Sequence, residues 1–319
     1  MKHSKSIRIA ACAAVSWALV GCGSPQPTAQ WSAQDPAAQS ARSADSLIEA
    51  ADIAAAIRAA GDDLAIFDVR PEAEYAAGHL PGAVRVDPAQ WEELSLSADS
   101  GLTHEQVWHD RIGSLGVDSD DTVLVYDSGR MTQAARVWFI LQHFGVAEAR
   151  VVNGGFPLIA QAASAGQLAL PTEPHEPRPA AFQPSATHAG RIGTLDRFQV
   201  RAAIESGQAQ VLDARTVSEY RGVDLRKNDR GGHLPTAMNV PHTALLDAQG
   251  RLKPSDELAA ILAEAGFVKG RPVITHCDSG GRAALASLAA ARAGYGPVVN
   301  YYLSFGDWAK DATCPVETP

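Results

Sequence analysis

At 319 residues the chain is long enough to bury two ordinary cores, and 46% hydrophobic with 20% charged residues is the composition of a folded globular protein rather than a disordered or fibrous one. A formal net charge of −9 sets it apart from proteins that hold nucleic acid or anionic lipid by bulk electrostatics, so no nucleic-acid partner is expected. The four cysteines, at 12, 22, 277 and 314, form no CxxC and no ligand-like cluster, which argues against a metal site or a disulfide framework.

Lys2, Lys5 and Arg8 lead into an apolar run from Ile9 to Val20, the make-up of an export signal and too short to span a bilayer comfortably. The run closes on Leu19-Val20-Gly21-Cys22, which resembles the lipobox of bacterial lipoproteins. That resemblance implies removal of residues 1–21 and lipidation of Cys22. Gly23 and Ser24 lack the aspartate that retains such proteins at the inner membrane, so the implied location is periplasmic, lipid-anchored to the outer membrane. After Cys22, residues 23–45 are rich in Ser, Ala, Gln and Pro and read as a flexible tether.

From residue 46 helical and strand patterns alternate. Ser46 fits an N-cap for a helix over Leu47 to Ala60, with Glu49 completing a capping box and Gly61 as the stop. Leu64 to Phe67 is a short strand running into Asp68-Val69-Arg70, followed by a helical pattern from Glu72 to Ala77 and a turn, Gly78-His79-Leu80-Pro81, before another strand. Thr122 to Tyr126 reads as a buried strand, Gln133 to Phe144 as a helix and Ala149 to Asn153 as a strand. Strands separated by helices imply an α/β fold, a mainly parallel sheet covered on both faces.

The same grammar then returns. Val211-Leu212-Asp213-Ala214-Arg215 echoes Ile66-Phe67-Asp68-Val69-Arg70, Ser218-Glu219-Tyr220 echoes Ala73-Glu74-Tyr75, and Gly232-His233-Leu234-Pro235 echoes Gly78-His79-Leu80-Pro81. Two copies of one domain are therefore expected, 46–165 and 191–319, joined by a proline-rich linker over 166–190. Asp68–Arg70 and Asp213–Arg215 read as buried pairs that hold each copy together.

The chemistry concentrates in the second copy. Pro272 to Thr275 is a β-forming run, residues 283–293 form an Ala/Leu-rich helix, and His276-Cys277-Asp278-Ser279-Gly280-Gly281-Arg282 lies between them. In a strand, tight loop and helix, the loop amides converge on one point, and Gly280 and Gly281 let the chain curl. Cys277 then sits as a nucleophile inside a ring of donors, with the Arg282 charge nearby to favour an anion. The first copy has Asp127 at the equivalent strand end and no thiol anywhere in 46–165, so its expected part is a wall of the pocket.

Together, the paired Asp-x-Arg and Gly-His-Leu-Pro motifs, the Cys277 to Arg282 loop and the aromatic segment Tyr302 to Trp308 resemble the tandem-domain rhodanese family, the thiosulfate and 3-mercaptopyruvate sulfurtransferases. The resemblance covers 46–319. It implies that Cys277 takes the outer sulfur of a small anionic donor, holds it as a persulfide and passes it to cyanide or a thiol, with no cofactor and no metal. It assigns persulfide or substrate binding to Asp278, Ser279, Gly280, Gly281 and Arg282, donor-anion binding to Arg226 and Arg230, and to His79 a place beside Ser279. For Arg226 and Arg230 a solvated basic stretch is the other reading, and for His79 a turn histidine bonded to backbone. Cys314 reads as an inert thiol or as a disulfide partner for Cys277. The loop departs from both family patterns: Arg282 stands where they have threonine, and Asp278 adds a negative charge, which leaves the donor open. Two other functions stay in view, a persulfide carrier without free turnover and a cysteine phosphatase or arsenate reductase. The latter enzymes have one residue more between Cys and Arg, and the shorter loop here favours a single sulfur over a whole phosphate.

Overall fold

The computed structural model describes residues 36–146, 148–185 and 191–318. The export signal and Cys22 lie outside the described residues. The first half runs α1 (Pro36–Asp45), β1 (Leu47–Ile48), α2 (Ile53–Ala60), β2 (Leu64–Asp68), α3 (Glu72–Ala76), β3 (Ala83–Arg85), α4 (Pro88–Leu96), α5 (Glu105–Ser114), β4 (Thr122–Tyr126), α6 (Thr132–His143), β5 (Glu148–Val152) and α7 (Phe156–Ser164). The second runs β6 (Gly193–Thr194), α8 (Arg197–Glu205), β7 (Gln210–Asp213), α9 (Val217–Tyr220), β8 (Met238–Asn239), α10 (Ser255–Glu264), β9 (Val273–His276), α11 (Gly281–Arg292), β10 (Val298–Asn300) and α12 (Ser304–Trp308). Each half builds a five-stranded parallel sheet, in the orders β1-β5-β4-β2-β3 and β6-β10-β9-β7-β8. The two orders are the same permutation of strands, so the sequence repeat is a structural repeat. The central strands β4 and β9 are buried along nearly their whole length, as strands covered by helices on both faces must be.

Two stretches differ from expectation. Residues 36–45, expected within the tether, form α1 and pack on α11, with Gln39 fully buried. The Gln39 side-chain amide donates to the Val298 carbonyl at 3.0 Å and accepts from the Val298 N–H at 2.8 Å, so it completes the backbone bonding of a strand in the other half. Nor is there a helix starting at Leu47. Leu47 and Ile48 instead pair with Val151 and Val152 as an edge strand, and the helix begins only at Ile53. Ser46 donates its hydroxyl to the Arg42 carbonyl at 2.8 Å, and Glu49 accepts from Asn153 at 2.7 Å, so neither forms the expected capping box. Pairing across the sheet outweighs the local helical pattern.

The proline-rich segment lies along the first half. His79, Ala180 and Ser185 exchange backbone hydrogen bonds with Pro171, Gly113 and Gly145 at 3.0, 2.8 and 2.8 Å, and Phe182 is buried. Between the halves, α6 lies against α11, the Phe139 and Tyr302 rings stack at 5.5 Å, and the Leu252 N–H donates to Asn153 at 2.8 Å. One apolar cluster takes in Phe139 and Leu141 from one half with Ala284 and Leu288 from the other.

Each half is pinned by its buried ion pair. Arg70 Nε lies 3.0 Å from Asp68, and its far nitrogen donates to the Gly78 carbonyl at 2.8 Å. Arg215 repeats this with Asp213 at 3.0 Å and the Gly232 carbonyl at 2.8 Å. The guanidinium groups rest on Phe156 and Phe305, 3.4 and 4.0 Å from the ring centroids. The arginine thus ties a strand end to the Gly-His turn. Arg215→Met strands a fully buried carboxylate, and the second half should lose about 3–5 kcal/mol. A lower urea midpoint than that of the Asp213→Asn, Arg215→Met double variant checks this.

Candidate active site

The site forms at the carboxyl end of β9, where open parallel sheets place their ligands. Alternation along the strand sends His276 and Cys277 to opposite sides. His276 is fully buried beside Asp213 at 3.5 Å, and burial lowers its pKa to about 4, so at neutral pH it is an uncharged part of the core. Cys277 turns the other way, to the floor of a cleft of about 670 Å³.

The loop is held by its carbonyls. Those of Cys277 and Asp278 accept from the Phe305 and Gly306 N–H groups, both at 3.0 Å, and that of Ser279 accepts from Arg136 at 2.7 Å. A planar trans peptide points its N–H opposite to its C=O, so drawing these carbonyls outward turns the amides of the following residues inward. The Gly280 N–H accordingly donates to Cys277 Sγ at 3.1 Å. Glycine is required there: φ is +98°, and a Cβ would sit 2.6 Å from the Tyr302 ring. Ser304, itself at φ +61°, brings its hydroxyl to accept the Cys277 N–H at 3.0 Å, with its oxygen 3.8 Å from Sγ.

Arg136 comes from α6 of the first half, through an interface that leaves it buried. It donates to the Ser279 carbonyl and hydroxyl at 2.7 and 3.3 Å, to the Tyr302 hydroxyl at 3.0 Å, and pairs with Glu92 at 2.9 Å. Burial opposes its charge, but Tyr302, Glu92 and the Cys277 sulfur more than offset this and raise its pKa. Arg282, at the loop's other end, is engaged bidentately by Glu219 at 2.6 and 2.8 Å. Burial again works against the charge, and Glu219, Cys277 and Asp278 hold the guanidinium above its usual pKa. Glu219 is buried too, yet Arg282 and Thr216 bring its pKa down to about 2. Asp278 is fixed by Asn228 at 2.8 Å. The side chains of exposed Arg130, Lys227 and Lys310 also line the cleft and make no hydrogen bond or ion pair with the described residues, which gives a small anion unengaged cations to meet.

The first half shows what such a loop does with an anion. Asp127 ends β4, and its carboxylate accepts the N–H groups of Gly129, Met131, Gln133 and Ala134 at 2.9, 3.0, 3.2 and 3.3 Å. Gln133 and Ala134 are the second and third residues of α6; Arg282 and Ala283 hold those positions in α11. Where the first half ends its strand in a carboxylate, the second ends it in a sulfur.

Asp278, Ser279, Gly281, Arg282 and Arg226 line the cleft with Cys277, and Gly280 contributes its amide to the sulfur. Arg226 remains half-exposed, 4.0 Å from Glu219. Neither Arg230 nor His79 lines that cleft, and His79 takes the turn-histidine reading. Arg230 spends its donors on the carbonyls of Trp308, Ala309, Asp311 and Cys314 at 2.6–3.1 Å, tying its loop to the C-terminal segment. His79 is buried in its turn, stacked on Tyr75 at 3.9 Å and bonded to the Tyr75 and Glu173 carbonyls at 2.9 and 3.1 Å. His233 repeats that stack on Tyr220 at 3.7 Å. Cys314 is a free buried thiol in a different apolar cluster from Cys277. The residues that sequence reasoning missed are Arg136, Glu92, Ser304, His242 and the Tyr302 hydroxyl. Among the described residues no three His, Cys, Asp or Glu side chains gather as metal ligands.

A family description, Rhodanese-like domain, fits residues 49–162 and again 198–311. The 3-mercaptopyruvate sulfurtransferase of Escherichia coli K12 is 32% identical over 252 residues, 76% of this chain and 85% of its own. The thiosulfate sulfurtransferase of Pseudomonas aeruginosa is 30% identical over 273 residues, 85% of this chain and 96% of its own. Among solved structures, an Escherichia coli protein described by the rhodanese fold and the catalytic mechanism of 3-mercaptopyruvate sulfotransferases superposes with a TM-score of 0.68 at 29% identity, over 82% of this chain and 98% of its own.

The Glu219 carboxylate carries a pH signature. Its folded pKa of about 2 lies below the ordinary 4.5, so the stability it adds is complete above 4.5 and is lost as pH falls from there towards 2. In urea titrations, the advantage of the native protein over Glu219→Gln should be constant above that window and shrink within it.

Proposed function

The chain belongs to the rhodanese family, two such domains in tandem, and is a sulfurtransferase; on that premise we propose that its sulfur rides on Cys277 and is discharged to a thiol or to cyanide. The donors are thiosulfate or 3-mercaptopyruvate. Cys277 thiolate attacks the donor's outer sulfur. With thiosulfate the S–S bond breaks and sulfite leaves with the electron pair; with mercaptopyruvate the C–S bond breaks, the carbon takes the pair, and the proton the donor sulfur carried ends on that carbon, giving pyruvate. Cys277 is left as a persulfide anion. The acceptor attacks the outer sulfur and Cys277 leaves as thiolate.

The observation that carries this is Asp127. A carboxylate oxygen lies two bonds beyond Cβ, and so does the outer sulfur of a cysteine persulfide. The anion that four amides grip in the first half therefore marks where a persulfide sulfur sits in the second. A bare thiolate is one atom too short to reach so deep. Arg282, clamped by Glu219, closes the cradle as a fixed charge instead of gripping a phosphate.

Protein lacking residues 1–22, incubated with either donor, should gain one sulfur atom on Cys277 by intact mass and lose it to cyanide as thiocyanate. Cys277→Ser should fold and show neither; sulfur loading by that variant would overturn the assignment.

We further propose that the protein is anchored by lipid at Cys22 on the periplasmic side of the outer membrane. The support is the basic, apolar and lipobox-like run at its N-terminus. Labelled palmitate should enter the full chain and not Cys22→Ala; equal labelling of the two would refute the anchor.

A further inference from the structure

We propose that His242 is the general base that takes the proton from a thiol acceptor in the second half of the reaction. This rests on the persulfide reading above and adds a residue to it. His242 opens the short turn His242–Leu245 after β8, with its backbone N–H held by the Ala214 carbonyl at 3.1 Å. Its ring lines the same cleft as Cys277, Asp278 and Arg282. The Ala214 carbonyl lies close to the ring, but Nδ1 is buried and meets no partner at hydrogen-bonding geometry, which leaves Nε2 as the nitrogen to face the cleft. A turn histidine of the fold-holding kind looks different here: His79 and His233 both bond to backbone carbonyls and stack on tyrosines.

The surroundings keep the ring uncharged. Burial lowers its pKa below the usual 6.5, and Arg282 from α11 and Arg130 from the loop before α6 add to this, against opposing pulls from the Ala214 carbonyl and from Glu219 on α9. A neutral imidazole has a lone pair to offer. Thiosulfate arrives as an anion and gives up its outer sulfur without losing a proton. A thiol acceptor is different: with an ordinary pKa of about 8.5 it is mostly protonated at neutral pH. In the discharge step the thiol proton passes to His242 Nε2 as the thiol sulfur bonds to the outer persulfide sulfur. The bond between that sulfur and Cys277 breaks, Cys277 leaves as thiolate, and the proton on His242 is returned to solvent. No oxidant or reductant is consumed.

The test is single-turnover discharge of the persulfide enzyme, loaded with thiosulfate and freed of excess donor, by 2-mercaptoethanol and, separately, by sulfite, which attacks through a lone pair it already carries. In His242→Gln and His242→Phe, discharge by the thiol at pH 7 should slow by about 100-fold, the usual worth of a positioned base. Discharge by sulfite should be unchanged. As pH rises past the thiol's own pKa, the variants should converge on the native rate, because the thiolate needs no base. Equal slowing with both acceptors would make His242 a mere wall of the cleft, and no slowing with either would leave it idle; both outcomes overturn the proposal. Failure to load sulfur at all would instead overturn the persulfide reading itself.

Discussion

Three carbonyl oxygens turned away from one sulfur atom set the character of this protein. Phe305, Gly306 and Arg136 draw the carbonyls of Cys277, Asp278 and Ser279 to themselves, and the Gly280 amide that follows the last of these is left facing the sulfur. Everything else in the site serves that posture. Tyr302 fills the space that a side chain at Gly280 would need, and Ser304 holds a strained backbone so that its hydroxyl can meet the Cys277 amide. The cradle is made of backbone, and side chains only keep it aimed.

The inactive half earns its place through this loop. Arg136 crosses from α6 into the catalytic half, braced by Glu92 on α4 and by a Tyr302 hydroxyl that also meets Ser95 at 2.9 Å. With Asp127 where the second copy has Cys277, the first copy still reaches the site, through Arg136. It buttresses the Cys277 loop, while Asp127 satisfies the amides of its own.

Much of this was legible in the sequence, because the repeat spells out both copies motif by motif. The strand ends Asp68 and Asp213, the Gly-His turns and the Cys277 loop are local patterns, and a local pattern survives being read one residue at a time. What escaped were long-range contacts. Arg136 lies on a helix whose sequence reads as ordinary core-facing residues, and only the packing of α6 on α11 brings it to Ser279. His242 stands outside every motif. Residues 36–45 were misread because their composition is that of a linker, while the one buried amide of Gln39 is what anchors them. Arg230 has the right charge in the right neighbourhood, but carbonyls left open where α12 ends claim it first.

That anchoring has a mechanical meaning. The chain passes between the halves more than once, through α1 seated on the catalytic half while β1 joins the other sheet, and again through the segment after α7. Two domains joined by one flexible link can open like a hinge; a second cross-tie resists that opening. The halves that wall the cleft are thus held to each other twice over, which opposes its widening by a swing of one half against the other.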